Sequence, residues 1–215
     1  MTGHPDGPVD PWSLRAHADD YLVEDEVVAA ARTAADALGC VPVDPGAGAG
    51  LRFLAATIAA RAVVEIGTGT GVSGLWLLRG MSPDGVLTSI DIDPENLRTA
   101  RTAFTAAGHG PSRLRLINGM GLEVLPRLTD GGYDLVFVDA EPDDHPRYLE
   151  EAVRLLRVGG IVVLDDAVVT GPAAADGPGP VELREAAGQA RTDDRLVPVL
   201  LPLGNGLLAA VKTAG

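Results

Sequence analysis

Cysteine, lysine and aromatic residues are nearly missing from this 215-residue chain. Cys40 is the only cysteine, so no internal disulfide can form and no metal–thiolate cluster can be built. Lys212 is the only lysine, and chemistry that needs a lysine in the core has none to draw on. Aromatic residues make up 4% of the chain, which leaves few rings for stacking a flat ligand. Excess positive charge is absent too: the formal net charge is −13. Such a chain repels phosphate backbones, and no basic stripe offsets the repulsion, so nucleic acid is not an expected partner. No apolar run approaches the ~20 residues of a membrane span, and no membrane partner is expected either. Met1–Trp12 is rich in Gly, Pro and Asp and lacks the basic and apolar segments of a signal peptide. The cytoplasm is the default location. What is present, 46% hydrophobic and 22% charged, suits one soluble domain over 1–215 with a small-molecule substrate.

The chain is organised around Ala62–Gly74, Ala-Val-Val-Glu-Ile-Gly-Thr-Gly-Thr-Gly-Val-Ser-Gly. An apolar run, Ala62–Ile66, reads as a buried parallel strand. Gly67, Gly69 and Gly71 follow at alternate positions, and Val72–Leu78 has the content of a helix start. Strand, glycine turn and helix bring backbone close to a ligand, because a Cβ would clash or forbid the turn. The dinucleotide fingerprint needs a third glycine where this chain has Val72, and a pyrophosphate would not tolerate Glu65 in the strand end. A ligand with a cationic amino-acid end and a ribose would tolerate both.

Along the chain, Met1–Trp12 is expected to be disordered. Residues 13–60 are expected to supply helices that cover the ligand site. Asp19–Leu38 has helical periodicity stopped by Gly39, Cys40–Gly50 reads as a loop, and Leu51–Ala60 as a second helix. Strands then alternate with helices. Val86–Ile90, Leu114–Ile117, Tyr133–Val138 and Ile161–Leu164 are the next strands. Pro94–Ala107, Gly121–Leu128, Pro146–Leu156 (closed by Gly159 and Gly160) and Val181–Ala190 are helices. Arg195–Leu201 and Gly206–Val211 read as closing strands joined by a hairpin turn. Continuous apolar strands separated by helices give an α/β, Rossmann-like fold: a mostly parallel sheet, helices on both faces and an antiparallel last strand.

Ligands of such sheets sit at the carboxyl ends of the strands. Acids fall there repeatedly: Glu65, Asp91, Asp139, then Asp165 and Asp166. Asp91 lies about twenty residues beyond the glycine turn, where a carboxylate takes both hydroxyls of an adenosine ribose. Asp93 is the better cap for the helix at Pro94. Asp139, Asp165 and Asp166 are hard oxygen donors on neighbouring strand ends, suited to Mg²⁺, Mn²⁺ or Ca²⁺, which would relieve their mutual repulsion.

Glu-Ile-Gly-Thr-Gly-Thr-Gly-Val-Ser, Ser-Ile-Asp-Ile-Asp-Pro-Glu (89–95), Tyr-Asp-Leu-Val-Phe-Val-Asp-Ala (133–140) and Leu-Leu-Arg-Val-Gly-Gly-Ile-Val-Val-Leu-Asp-Asp (155–166) follow one another in order. From about Val41 to the C-terminus the set resembles the class I S-adenosylmethionine-dependent O-methyltransferases. The subgroup resembled is the cation-dependent catechol and caffeoyl-CoA type, in its short actinobacterial form. The resemblance implies methyl transfer to a hydroxyl of a small molecule by a homodimer. It implies that Val43, Glu65, Gly67, Thr68 and Ser73 hold the methionine part of the cofactor, with Asp139 beside them. Asp91 would bind the ribose, and Gly119–Gly121, including Met120, would border the adenine. Asp139, Asp165 and Asp166 would hold a divalent metal that chelates vicinal hydroxyl oxygens of the acceptor.

The sequence also departs from that family. Asp166 stands where the family usually has Asn. Met120 replaces an acid beside the adenine and can only pack. Pro142 replaces a lysine that acts as base or hydroxyl positioner. His145, in the same loop, is the candidate replacement base, with Asp143 and Asp144 also available. Gly171–Pro180 replaces an apolar, tryptophan-bearing loop with small residues and reads as a mobile lid. A reading from another class is a cofactor-binding protein without catalysis; a nicotinamide oxidoreductase is disfavoured by Val72 and Glu65.

Overall fold

The apolar runs form strands because both of their faces are covered. In the computed structural model, which describes residues 11–167 and 181–215, alternate strand residues enter two different cores. Val63, Leu135, Phe137, Ile161 and Val163 point to one side and meet Val28, Leu51, Trp76 and Phe104. Val64, Val136, Val138, Val162 and Leu164 point to the other and meet Tyr148, Leu149, Ala186 and Ala190. A strand buried on both sides has no polar alternation to show, which is why the runs are continuous.

The elements, in order, are α1 (Pro11–Asp20), α2 (Glu26–Leu38), α3 (Pro45–Thr57), β1 (Ala62–Ile66), α4 (Val72–Gly80), β2 (Val86–Asp91) and α5 (Pro94–Ala106). Then come β3 (Leu114–Asn118), α6 (Gly121–Val124), β4 (Tyr133–Val138), α7 (His145–Leu155), β5 (Leu156–Leu164), α8 (Val181–Thr192), β6 (Leu196–Leu201) and β7 (Leu207–Lys212). The sheet order is β3-β2-β1-β4-β5-β7-β6. β1 to β5 are mutually parallel, and β7 runs antiparallel to both β5 and β6. The expected mostly parallel sheet with an antiparallel closing strand is therefore the one observed. The chain reverses its direction of travel across the sheet between β1 and β4, and this switch opens a crevice at their carboxyl ends.

Three local expectations are corrected. The segment Cys40–Gly50, read as a loop, is half helix. α3 begins at Pro45 after Asp44 and carries Gly46, Gly48 and Gly50 inside it. Glycine is costly in a helix interior, by about 1 kcal/mol each relative to alanine, and packing overrides that cost here. A Cβ at Gly46 would come 2.7 Å from Asp19 Oδ1, at Gly48 2.4 Å from Trp76, and at Gly50 2.8 Å from Leu203 Cδ1. The glycines let α3 press against α1, α4 and the β6–β7 turn. Second, the helix expected over Asp19–Leu38 is two helices. α1 starts at Pro11, inside the stretch expected to be disordered, and α2 restarts at Glu26, where Asp25 accepts from Val27 N and Val28 N at 3.1 Å. The rest of Met1–Trp12, residues 1–10, lies outside the described residues. Third, Gly159 and Gly160 do not close a helix. α7 passes straight into β5, which contains both glycines and shifts register against β4 there. The expected lid Gly171–Pro180 lies outside the described residues. Among the described residues no helix is long and apolar enough to cross a membrane.

Candidate active site

The glycine turn after β1 is held tightly. Gly67 N donates to Ile90 O at 2.9 Å, and Asp139 N donates to Ile66 O at 2.8 Å, which ties the ends of β1, β2 and β4 together. Gly67 has φ +91°, and a Cβ there would lie 1.8 Å from the Asp139 carbonyl oxygen. Only glycine fits that position. Gly71 takes a left-handed conformation at the start of α4.

Glu65 lies beneath this turn and not on a cavity wall. It is fully buried, and its two oxygens accept from Ser73 Oγ at 2.6 Å and Ser89 Oγ at 2.5 Å. Ser89 Oγ in turn shares a hydrogen bond with Thr68 Oγ1 at 2.6 Å. Burial pushes the Glu65 carboxyl up to about 7, against the two serine hydrogen bonds. The Glu65 oxygens are thus turned to Ser73 and Ser89, and through Ser89 to Thr68.

Asp91 ends β2 with Oδ2 accepting from Gly69 N and Oδ1 from Asp93 N, both at 2.8 Å. A carboxylate has about four lone-pair sites. The two backbone donors take one on each oxygen, and Asn96 Nδ2 spans both oxygens loosely at 3.3 and 3.4 Å. Asp93 caps α5 by accepting from Glu95 N, as its position in the sequence indicated.

Three contiguous cavities lie along the carboxyl ends of the strands. One of about 310 Å³ is lined by Val41, Gly67, Thr68, Ser73, Asp91 and Asp139. A second, of about 280 Å³, is lined by Ile66, Ile90, Ile92, Met120, Gly121 and Tyr148, and again by Asp91 and Asp139. The third, of about 340 Å³, is lined by Val43, Asp44, Asp139, Glu141, Asp165, Asp166 and Asn205. Asp139 faces all three. Val43 lines the third cavity and not the first. The glycine cradle, the Asp91 carboxylate on the cavity wall and the adjoining apolar slot fit a nucleoside carrying an amino-acid arm.

The three expected metal ligands share the third cavity, yet they do not close on one point. Among the described residues no three His, Cys, Asp or Glu side chains come close enough together to hold one ion. Burial first, then the neighbouring Asp165 and Asp166, hold the Asp139 carboxyl well above the usual carboxylate range. Burial likewise pushes Asp165 up to about 7, with Asp166 adding to it, although Asp166 N donates to Asp165 Oδ1 at 2.8 Å. Asp166 has φ +55°, a left-handed conformation uncommon for a non-glycine residue and often found at functional sites. Its Oδ1 accepts from Asn205 Nδ2 at 2.9 Å, and Asn205 Oδ1 accepts from Arg15 Nη2 at 3.2 Å. Arg15 also pairs with Asp44 at 2.6 Å. The donor chemistry fits a hard divalent cation; one oxygen of the third carboxylate is already engaged by Asn205 in the same cavity.

His145 is neither an exposed loop residue nor a member of the acidic cavity. It opens α7 at 1% exposure, its Nε2 sits 3.2 Å from Ala140 O, and its Nδ1 has no partner among the described residues. Burial lowers its pKa, so the ring is neutral at neutral pH. Asp144 is engaged by Arg147 at 3.0 Å. Sequence reasoning missed Ser89, Asn96, Tyr148 and Asn205. Ser89, Tyr148 and Asn205 belong to the site through neighbours far away in the chain, and Asn96 through Asp91 only five residues before it.

Comparison with known proteins places this architecture. A family model described as O-methyltransferase matches residues 16–213. "Probable O-methyltransferase Rv1220c" of Mycobacterium tuberculosis is 52% identical over 218 residues, covering 98% of this chain and 97% of that one. The O-methyltransferase TomG of Streptomyces achromogenes, crystallised with S-adenosylmethionine, superposes with a TM-score of 0.82 at 28% identity over 94% and 96% of the two chains. Cofactor-bound Rv0187 of M. tuberculosis superposes with a TM-score of 0.84 at 30% identity over 96% and 99%. With almost its whole length matched, the chain belongs to the O-methyltransferase family, and by that membership it is an S-adenosylmethionine-dependent enzyme.

Proposed function

We propose that the protein transfers the methyl group of S-adenosylmethionine to a hydroxyl of a small-molecule acceptor, with a divalent cation beside the acceptor. The observation that carries this reading is the position of Asp139, at the junction of the glycine-turn cavity, the apolar slot and the acidic cavity. In this reading Gly67, Thr68 and Ser73 receive the methionine arm, with Glu65 fixing Ser73 and Thr68 from below. Asp91 takes the ribose hydroxyls, Met120 and Gly121 border the adenine, and Val43 stands at the acceptor side. When bound, the cofactor supplies a methyl group already activated on its sulfonium. The chain's share is to orient the acceptor in line with that methyl, exclude water and manage one proton. A cation held by Asp139, Asp165 and Asp166 would supply charge compensation and acidify the acceptor hydroxyl. The exposed Val197, Val199 and Leu200 on the edge strand β6 support a homodimer, which sedimentation tests.

A second reading, metal-independent transfer, is favoured by one observation: Asn205 already holds Asp166. The deciding experiment is methyl transfer to a panel of hydroxylated acceptors with added Mg²⁺ and with a chelator. Transfer abolished by the chelator and restored by Mg²⁺ supports the first reading, and unchanged transfer supports the second. No binding of S-adenosylhomocysteine at saturating concentration would remove both.

A further inference from the structure

Tyr148 sits one turn into α7, on the face that packs against the sheet. Its ring is 7% exposed and joins Ile66 and Ile90 in the core beneath the apolar slot. A Cβ on Gly121 would lie 2.8 Å from both Tyr148 Cε1 and Oη, so the ring rests against the backbone at the start of α6. Tyr148 lines the slot, and its hydroxyl, beside Gly121, has no hydrogen-bond partner among the described residues. The hydroxyl is not among the sealed, unpartnered polar atoms of the described residues, so it is open to whatever fills the slot.

The slot around it is apolar on its walls. Ile66, Ile90 and Ile92 supply flat hydrocarbon, and Met120, 56% exposed at the rim, offers no hydrogen bond. Its polar side-chain atoms near Tyr148 are acceptors: the phenol oxygen and the Asp144 carboxylate, which also lines the slot. Both burial and Asp144 keep the phenol protonated. A ligand that fills this space needs two apolar faces and a donor-bearing edge. A purine with an exocyclic amine has that form.

We propose that Tyr148 selects adenine in the cofactor by accepting a hydrogen bond from its 6-amino group. The proposal rests on the reading that this slot receives the base of S-adenosylmethionine. It assigns base recognition to α7, 27 residues beyond the Gly121 turn that would otherwise border the base alone.

Calorimetric titration of the wild type and Tyr148→Phe with S-adenosylhomocysteine and S-inosylhomocysteine tests it, with a carbonyl oxygen replacing the 6-amino group in the second ligand. The wild type should prefer S-adenosylhomocysteine. Y148F should bind it about fivefold more weakly, and the preference over the inosyl compound should shrink by about the same factor. The melting temperature of ligand-free Y148F should stay level, because the hydroxyl makes no hydrogen bond with the described residues and is not sealed from water. Equal affinity of wild type and Y148F for S-adenosylhomocysteine overturns the proposal. So does a lowered melting temperature with both ligands weakened alike, which marks a packing role. A wild type that binds S-adenosylhomocysteine without preferring it to the inosyl compound also overturns it. A wild type that binds neither ligand overturns the reading of the slot itself.

Discussion

Ser73 Oγ donates to Glu65 Oε1 at 2.6 Å from the first turn of α4, directly under the glycine loop. With Ser89 on the other oxygen, this contact holds a carboxyl group in a fully buried place. The two hydrogen bonds do not offset the desolvation, and the folded-state pKa rises from 4.5 to about 7. Between those values the folded chain keeps a proton that the unfolded chain has released. Stability of the ligand-free protein therefore falls as pH rises through this window, by about 3 kcal/mol from this one group. Glu65→Gln should remove that dependence and raise the melting temperature at pH 8. It should also weaken S-adenosylhomocysteine binding at pH 8, where Glu65 is ionised and Ser73 loses a charged anchor. Melting curves from pH 5 to pH 8 check this, and an undiminished slope in the variant would refute it.

Gly67 and Gly69 look alike in sequence and should respond differently to alanine. At Gly67 the added carbon would meet the Asp139 carbonyl at 1.8 Å, and neither backbone can yield without opening the β1–β4 junction. Gly67→Ala should cost at least ~3 kcal/mol and abolish cofactor binding. At Gly69 a Cβ meets nothing within 4 Å, and the strain comes only from φ +49°. Gly69→Ala should cost about 1 kcal/mol. Urea midpoints of the two variants decide the matter, and similar losses would show that the turn moves as a unit.

Lys212, the chain's only lysine, is buried at the end of β7, with Nζ donating to Val153 O and Leu156 O at 2.9 Å. Those carbonyls belong to the last turn of α7 and its junction with β5, which no loop follows to satisfy them. A cation at a helix C-terminus is also favoured by the helix dipole. Lys212→Met keeps the apolar stem and strips both donors, so it should destabilise by about 2–3 kcal/mol while leaving the affinity for S-adenosylhomocysteine unchanged. Denaturation with parallel titration measures both quantities, and loss of affinity without loss of stability would contradict the assignment.

The sequence made legible whatever depends on local pattern. Two-sided strands gave continuous apolar runs, Asp93 and Asp25 precede helices as caps, and Gly67, Asp91 and Asp139 fall at strand ends by simple order. What stayed hidden depends on distant partners. Gly46, Gly48 and Gly50 look like loop glycines until Asp19, Trp76 and Leu203 are seen pressing on them. His145 follows a run of acids in a loop and reads as a candidate base, whereas it opens α7 and is buried. Lys212 drew notice as a lysine missing from the active site; its work is on a helix end 59 residues away. Asp166 was read as a metal ligand by type, while its bond to Asn205 spans 39 residues and could not be inferred from either neighbourhood.

That last contact leads to a prediction about cation binding. Asn205 Nδ2 holds Asp166 Oδ1, and Arg15 steadies Asn205 from α1. The arrangement gives one oxygen of a third carboxylate a neutral donor on the wall of the cavity it shares with Asp139 and Asp165. A divalent ion that takes Asp166 Oδ1 must compete with the amide. Asn205→Ala removes the competitor without touching a proposed ligand, so affinity for Mn²⁺ should rise about tenfold, the lower end of the value of one charge-assisted hydrogen bond. Asp166→Asn should have the opposite effect, since the side chain loses its charge. Calorimetric titration of the ligand-free variants with Mn²⁺ reads both. If Asn205→Ala weakens the ion instead, the asparagine is itself part of the cation's surroundings, and Asp166 is held in place by it rather than held away.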